Sequence, residues 1–340
     1  MPGPEDRGCG AVGCWRPRRR CQPLSYCCRA LRSPACLATL QWYQQRCLDR
    51  SISWRHSRRL CWRDVLIIDS HVHVWALDDR HKPAADARIP WPREAAPVEW
   101  LLDDMRQYGI DRAVLVQSSA FSWDNSYILE CCARYPKLFR SVGLVNPLAE
   151  TAADDLRHWM RAGLVGIRLH PVFYRSEPVW LDSPAHDRLW DAARETDAIL
   201  QFHMLPEHAG PLARMIELHP NVRVLIDHLG KPDVTEPPPY RSFQGVLALA
   251  QYPRVWMKIG DYQLASREGY PWQDTFPFVT LLVQAFGPDR MVWGTGFPGK
   301  ARLVPLAKAL AYVQREIPGL TETDRRKILD ETPRRLYGFE

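Results

Sequence analysis

The chain of 340 residues lacks several things that would settle its class at once. No uninterrupted apolar stretch approaches the ~18 residues of a membrane-spanning helix, so a transmembrane helix is excluded. The repeats of collagen and of coiled coils are missing. With 46% apolar and 25% charged residues, the composition is that of an ordinary globular protein rather than a disordered chain. Lysine is absent from the first 64 residues, and beyond them cysteine is nearly absent, with only Cys131 and Cys132 remaining. Two adjacent cysteines make no disulfide framework, which suits a reducing, cytoplasmic setting.

What is present divides into two unlike pieces. Residues 1–64 hold 13 Arg against 4 acids and carry eight of the ten cysteines, for a net charge of +9. The remaining 276 residues hold 32 Lys and Arg against 35 Asp and Glu, for a net charge of −3. The overall +6 is therefore a property of the first segment, and the nucleic-acid partner it suggests has no support in the rest. The cysteine gaps in this segment match no zinc module. It holds no apolar core of a secretory signal. Its cysteine and proline density is unusual for a transit peptide. Arg16, Arg18, Arg19 and Arg20 form a short basic run that leaves a nucleic-acid arm open. We read residues 1–64 as translated sequence upstream of the true start or, failing that, as a disordered tail. A compact fold opens abruptly at Val65, with VLIIDSHVHVW.

From there, short β-branched runs alternate with amphipathic stretches. Strands are expected at 65–68, 113–117, 141–146, 165–169, 199–202, 223–226, 255–259 and 291–293. Their near-continuous apolar character is that of strands covered on both faces. Helices are expected at 98–108, 125–135, 152–161, 184–196, 209–218, 243–251, 275–286, 303–316 and 322–336. Gly109, Pro136, Gly163, Pro220 and Pro253 follow helices, where stops belong. Strict alternation implies a parallel sheet, and eight units in this length imply a closed (β/α)₈ (TIM) barrel over residues 65–340. A doubly wound open sheet is the competitor. Against it, no glycine-rich phosphate turn follows the first strand.

In such a barrel, chemistry sits at the carboxyl ends of the strands. The first strand runs into Asp69-Ser70-His71-Val72-His73-Val74-Trp75. Alternation points His71 and His73 the same way, and two adjacent imidazoles can bind one divalent cation. The fifth strand ends at His203 and the sixth at Asp227-His228. Inward strand ends converge on one axis, so four histidines can share one site. A water on such an ion has its pKa lowered toward ~7, and a neighbouring histidine can move its proton. Arg168 and His170 close the fourth strand, where Arg168 suits a substrate carboxylate or a rim ion pair. Asp261 closes the seventh strand. Gln117 and Asn146 end the second and third, as caps or water ligands. His208 and His219 are expected to be structural. Phe173, Tyr174, Tyr262 and Phe297 ring the expected mouth. The proline-rich loop at 76–97 has the length of a lid, and 236–239 reads as a stiff spacer.

DSHVHVW, GIRLH, FHMLPEH, IDHLGKP, KIGDYQLAS, VWGTGFPG and TPRRLYGF occur in this order. Together they resemble the amidohydrolase-related family, and more narrowly its branch of lactonases, with decarboxylases as relatives. The resemblance spans about 65–340. It implies that His71 and His73 are the paired metal ligands, His203 the strand-five histidine and His228 the strand-six histidine. One position departs from the family pattern: Gly296 stands where strand eight usually carries an aspartate that is ligand and base. Three readings follow from that glycine: Asp261, one strand back, serves as the stand-in base, or three histidines and water suffice, or the protein binds without turning over. Arg168, where a bridging lysine would be wanted, speaks against two metal ions.

The resulting expectation is a cytoplasmic hydrolase of a small lactone or other cyclic carbonyl compound. The metal ligands are His71, His73 and His203, holding one zinc ion, with manganese or a metal-free mechanism as alternatives. His228 and Asp261 are catalytic. Arg168, His170, Trp75 and Tyr262 contact the substrate. Decarboxylation at the same site and a binding protein without chemistry are the competing functions. The expected partner is a small molecule, not nucleic acid or a membrane, and a homo-oligomer is left open.

Overall fold

The computed structural model describes residues 65–83, 92–173, 181, 186–298 and 306–340. Outside the described residues lie the whole amino-terminal segment, the middle of the 76–97 loop, Tyr174, and the first residues of the helices expected from 184 and 303. Eight strands follow the chain: β1 (Ile68–Val72), β2 (Arg112–Val116), β3 (Phe139–Gly143), β4 (Gly166–Leu169), β5 (Ile199–Phe202), β6 (Arg223–Ile226), β7 (Val255–Gly260) and β8 (Met291–Gly294). They form one sheet in sequence order, every pair parallel. Just past β8 the sheet meets β1 again. Gly296 N–H donates to His71 C=O (2.8 Å), and His73 N–H donates to Phe297 C=O (2.6 Å). The expected (β/α)₈ barrel is therefore what the chain forms.

Besides single turns such as Tyr262–Ala265, the helices before the end of β8 are α1 (Val98–Tyr108), α2 (Ser126–Arg134), α3 (Ala152–Ala162), α4 (Asp187–Glu195), α5 (Ala209–Leu218), α6 (Gln244–Ala248) and α7 (Phe276–Phe286). After β8, α8 (Leu306–Ala311) continues into a π-helical Tyr312–Glu316. Glu322–Arg326 (α9) passes through a π-helical Lys327–Glu331 into Thr332–Tyr337 (α10). In α1, Val98, Leu101 and Met105 are buried at helical spacing, and Gly109 ends the helix at φ 71°. Among the described residues no helix is long and apolar enough to cross a membrane.

Two strands differ from expectation by more than one residue. β1 starts at Ile68 rather than Val65, where the backbone N–H groups just before it go to side chains rather than to a neighbouring strand. Ile67 N–H donates to Asp111 Oδ2 (2.8 Å) and Leu66 N–H to Asp330 Oδ2 (3.4 Å). β3 spans Phe139–Gly143 rather than 141–146. The Asn125 side chain takes both backbone groups of Leu144, accepting from its N–H (2.8 Å) and donating to its C=O (2.9 Å). That ends the ladder.

The floor of the barrel is apolar. Ile68, Val114, Val116, Val142, Ile199, Leu225 and Val292 pack with Leu336, Tyr337 and Phe339 from the chain's end. Arginines near the starts of strands hold this terminal segment in place. Arg223 donates to Leu336 C=O (2.9 Å), Arg140 to Gly338 C=O (3.0 Å), and Arg112 to Glu340 C=O. The Arg140 guanidinium also lies over the Phe339 ring, 4.8 Å from its centroid. With one end sealed, polar side chains collect at the other.

Candidate active site

The site begins inside β1. Asp69 and His71 lie two residues apart and are both buried. Asp69 Oδ1 accepts the backbone N–H groups of His71 and Thr295 (3.0 Å each), and Oδ2 accepts the Thr295 hydroxyl (2.6 Å). This carboxyl thus ties β1 to the segment after β8. Burial pushes it up to about 7, against the hydrogen bonds from Thr295 and His71.

His71 and His73 face each other, their Nε2 atoms 3.1 Å apart. His73 Nδ1 donates to Val116 C=O (2.7 Å), which leaves its Nε2 as a lone pair. Burial, then Arg168, brings His73 down to about 4, and burial and Lys258 hold His71 well below its ordinary value. Both rings are neutral at pH 7.

Behind them lies a charged layer drawn from four consecutive strands. Asp227, just past β6, accepts Arg168 Nε (2.6 Å) and Gln201 Nε2 (3.0 Å) on Oδ2. Its Oδ1 lies 3.1 Å from Lys258 Nζ and 3.8 Å from His71 Nδ1. Burial alone would raise this carboxyl, but Lys258 and Arg168 beside it hold it well below the usual range. Lys258, fully buried in the middle of β7, is brought down to about 8 by burial, against the pull of Asp227.

His228 enters from a tight turn. His228, Leu229 and Lys231 all have positive φ (51°, 61° and 53°), as does Gly230 between them. Non-glycine residues in that region cost ~1–3 kcal/mol each and persist where the surroundings impose them. The turn aims the imidazole into the mouth. Arg168 Nη2 lies 2.8 Å from His228 Nε2, and arginine can only donate, so the ring hydrogen sits on Nδ1. That atom lies 3.2 Å from Asp261 Oδ2. Burial holds His228, like His170, well below the ordinary histidine value.

Gly296 accounts for the place of Asp261. A Cβ at 296 would stand 2.5 Å from Asp261 Oδ1, and the backbone there has φ +69°. The Asp261 carboxylate occupies the space in which a side chain from 296 would begin. Position 296 thus combines a close approach with a left-handed backbone, and glycine meets both.

The other expected residues fall into two groups. The His203 ring stands edge-on to His228 (5.3 Å between centroids) and His170 (5.5 Å), and its buried Nδ1 has no hydrogen-bond partner among the described residues. His170 stacks on Phe173 (5.1 Å, 13°) and meets Ser119 Oγ at 3.2 Å. Trp75 pairs its backbone with Ala96 and donates its indole N–H to Glu94 C=O (2.8 Å), lining a concavity with Pro92 and Pro298. His170 and His203 thus join His228 in one cluster of rings. Tyr262 does not open onto it. Its ring is buried against Tyr312 (3.8 Å) and Trp272 (5.8 Å). Phe297 is buried at the seam between β1 and β8. Gln117 caps locally, accepting from Ser118 N–H (2.8 Å) and donating to Asp124 C=O. His219 bonds Asp187 (3.2 Å) and stacks on Trp190, while His208 Nδ1 accepts Leu205 N–H (3.0 Å).

Sequence reasoning did not single out Asp69, Asp227, Lys258 or Thr295 as site residues. The available signal was a charged residue inside a strand whose other members are apolar, as in VWMKIG. Of the expected metal ligands, His71 recurs in a group that the structure draws together. His71, Asp227 and His228 form a candidate divalent-metal group, with ligand atoms within 4.8 Å of one another. His71 and His73 also fit a common ion, since imidazoles at ~2.0–2.1 Å from one zinc stand little more than 3 Å apart. The His73 ring is oriented by a carbonyl, as a metal-bound imidazole requires.

The profile of the amidohydrolase family matches residues 68–339. The chain belongs to the amidohydrolase family. It is 27% identical over 277 residues to the 4-sulfomuconolactone hydrolase of Rhizobium radiobacter, covering 79% of this chain and 89% of that protein. It is 26% identical over 242 residues to the L-fucono-1,5-lactonase of Burkholderia ambifaria, covering 68% and 80%. Among solved structures, an amidohydrolase from Burkholderia multivorans with bound zinc shares the fold. The TM-score is 0.68 at 19% identity, over 81% of this chain and all (100%) of that one.

Proposed function

We propose that this amidohydrolase-family protein hydrolyses a small lactone, with Asp261 as the general base. The observation that carries the reading is the seating of the Asp261 carboxylate. It fills the space beside Gly296 (2.5 Å from a Cβ there) and faces His228 Nδ1 at 3.2 Å. The named activities of the similar proteins, a muconolactone hydrolase and a fuconolactonase, support the substrate class.

In this reading His71, His73 and His203 would hold one divalent ion, zinc or manganese. Such an ion supplies Lewis acidity to a carbonyl or to water. Asp261 takes the proton of the attacking water, and His228, whose Nδ1 lies 3.2 Å from the carboxylate, stands beside it for that step. Arg168 presents its positive charge to the substrate's carboxylate and to the oxyanion that develops on ring opening. The protonated Asp261 gives that proton to the leaving ring oxygen, and His228 beside it steadies the charge that passes through the step. His170 and Trp75 border the substrate, with Phe173 stacked behind His170.

The test is a panel of aldonolactones, muconolactones and pyrone carboxylates, followed by acid release in a pH-indicator assay. Ring opening by the wild-type protein, falling ~10²- to 10⁴-fold in Asp261→Asn, is the expected result. Release of CO₂ without ring opening would move the reading to a decarboxylase. Binding of these compounds without turnover would make the protein a binder.

A further inference from the structure

Nothing in the proposed reaction uses Lys258, although it is fully buried at the base of the site. Its Nζ lies 3.0 Å from His71 Nδ1 and 3.1 Å from Asp227 Oδ1. An ammonium donates and does not accept. His71 Nδ1 is therefore the acceptor, and the single N–H of that ring sits on Nε2, 3.1 Å from His73 Nε2. His73 carries its own N–H on Nδ1, toward Val116 C=O (2.7 Å). Donation thus runs one way, from Lys258 through His71 and His73 to a backbone carbonyl.

A metal-bound imidazole needs the opposite at its two nitrogens. It presents a lone pair to the ion and donates its other N–H to an acceptor. His73 has that arrangement, and His71 has it reversed, because the group at its Nδ1 is a cation. For His71 to bind an ion through Nε2, its hydrogen must move to Nδ1, where it would face the lysine. Lys258 also sits between His71 Nδ1 and Asp227 Oδ1, which lie 3.8 Å apart and belong to the candidate metal group. The cation held by those two atoms is the side chain's own.

We infer that Lys258 is a positioning residue that makes His71 an Nε2–H donor and holds down the affinity of the mouth for a divalent ion. The inference rests on the proposed metal reading and adds a control to it: the hold of His71 on an ion is opposed by the lysine at that ring's other nitrogen. A lysine that only neutralises Asp227 would stabilise the fold without affecting either property.

The experiment uses the full-length protein, stripped of metal, as wild type, Lys258→Gln and Lys258→Arg. Glutamine can accept from a His71 Nδ1–H and still donate to Asp227, whereas arginine keeps a donating cation. Ring-nitrogen NMR, with His71 assigned by its loss in His71→Ala, reads the tautomer. Competition with a chromogenic chelator reads zinc affinity. Expected are an Nε2–H tautomer in wild type and an Nδ1–H tautomer in Lys258→Gln. Zinc should bind Lys258→Gln at least about tenfold tighter than wild type, from the removal of a buried like charge, and Lys258→Arg should behave as wild type. An Nδ1–H tautomer in the wild type overturns the inference, and this readout stands even if Lys258→Gln fails to fold. So does an unchanged or weaker zinc affinity in Lys258→Gln, or zinc binding by none of the three. A protein that hydrolyses no lactone yet shows the tautomer and affinity changes removes the proposed reaction and leaves the inference standing.

Discussion

The two ends of the barrel are built on opposite physics. The floor is apolar and sealed by Leu336, Tyr337 and Phe339, with arginines turned outward onto the carbonyls of the terminal segment. The mouth buries Asp69, His71, Arg168, Asp227, His228 and Lys258, and it holds consecutive non-glycine residues at positive φ. Apolar burial at the floor adds about 1.5–3 kcal/mol per large side chain. At the mouth, buried charges offset one another at best, and removing one partner leaves the other exposed to the full desolvation cost. The floor stabilises the fold, and the mouth uses some of that stability to keep charged groups dry and aimed.

Variants at the two ends should therefore separate activity from stability. The largest effect is expected for Asp261→Asn, a fall of ~10²- to 10⁴-fold in kcat with a nearly unchanged unfolding midpoint. Steady-state rates and thermal melts on one preparation check it. A lower midpoint with full activity would break the contrast. At the floor, Leu336→Ala should cost about 2–5 kcal/mol in urea unfolding and leave kcat per folded molecule intact. Loss of activity at a temperature where this variant is folded would show that the ends are coupled.

Gly296→Ala should sharpen the boundary. Its Cβ would stand 2.5 Å from Asp261 Oδ1, at a backbone φ of +69°. The strain is worth about 1–2 kcal/mol, and displacement of the carboxylate should lower kcat about tenfold. Wild-type kinetics in this variant would take Asp261 out of the reaction.

Acid should weaken the mouth and not the floor. His73 is lowered from 6.5 to about 4 in the folded protein, and His71, His170 and His228 are lowered in the same sense. Between these values the unfolded chain binds more protons, so the stability these groups contribute is present above pH 6.5 and lost as pH falls through 4. Asp69, raised from 3.8 to about 7, runs the other way, losing stability as pH rises across that range. Four histidines outweigh one carboxyl, and urea midpoints should fall from pH 7 to pH 5. His73→Phe should flatten that slope, and a slope unchanged in it would remove His73 from the balance. The smallest effect is expected from removing residues 1–64. The barrel we assign to 65–340 should unfold at the midpoint of the whole chain, as read by calorimetry.

Much of the fold was legible because covered strands and amphipathic helices leave periodic marks. α1 and α5 were legible to the residue, and β4 nearly so. The shifted β1 and β3 were not, because distant side chains end or delay them: Asp111 and Asp330 for the first, Asn125 for the second. At the site, His71, His73, His203, His228 and Asp261 were visible as polar residues at strand ends. Tyr262 shows the limit of that rule. It follows a strand end, yet its ring turns into the aromatic cluster of Trp272 and Tyr312.

By itself, the sequence determined the alternation of strand and helix, the barrel it implies, and the side of the barrel on which its histidines gather. Local periodicity and strand-end position suffice for that, since both follow from the geometry of a single element. Only the tertiary structure decided that Asp261 fills the space beside Gly296, that Arg168 belongs to Asp227 and His228, and that Lys258 sits against His71. Each joins different strands across a closed sheet, and no spacing along the chain encodes which atoms then meet.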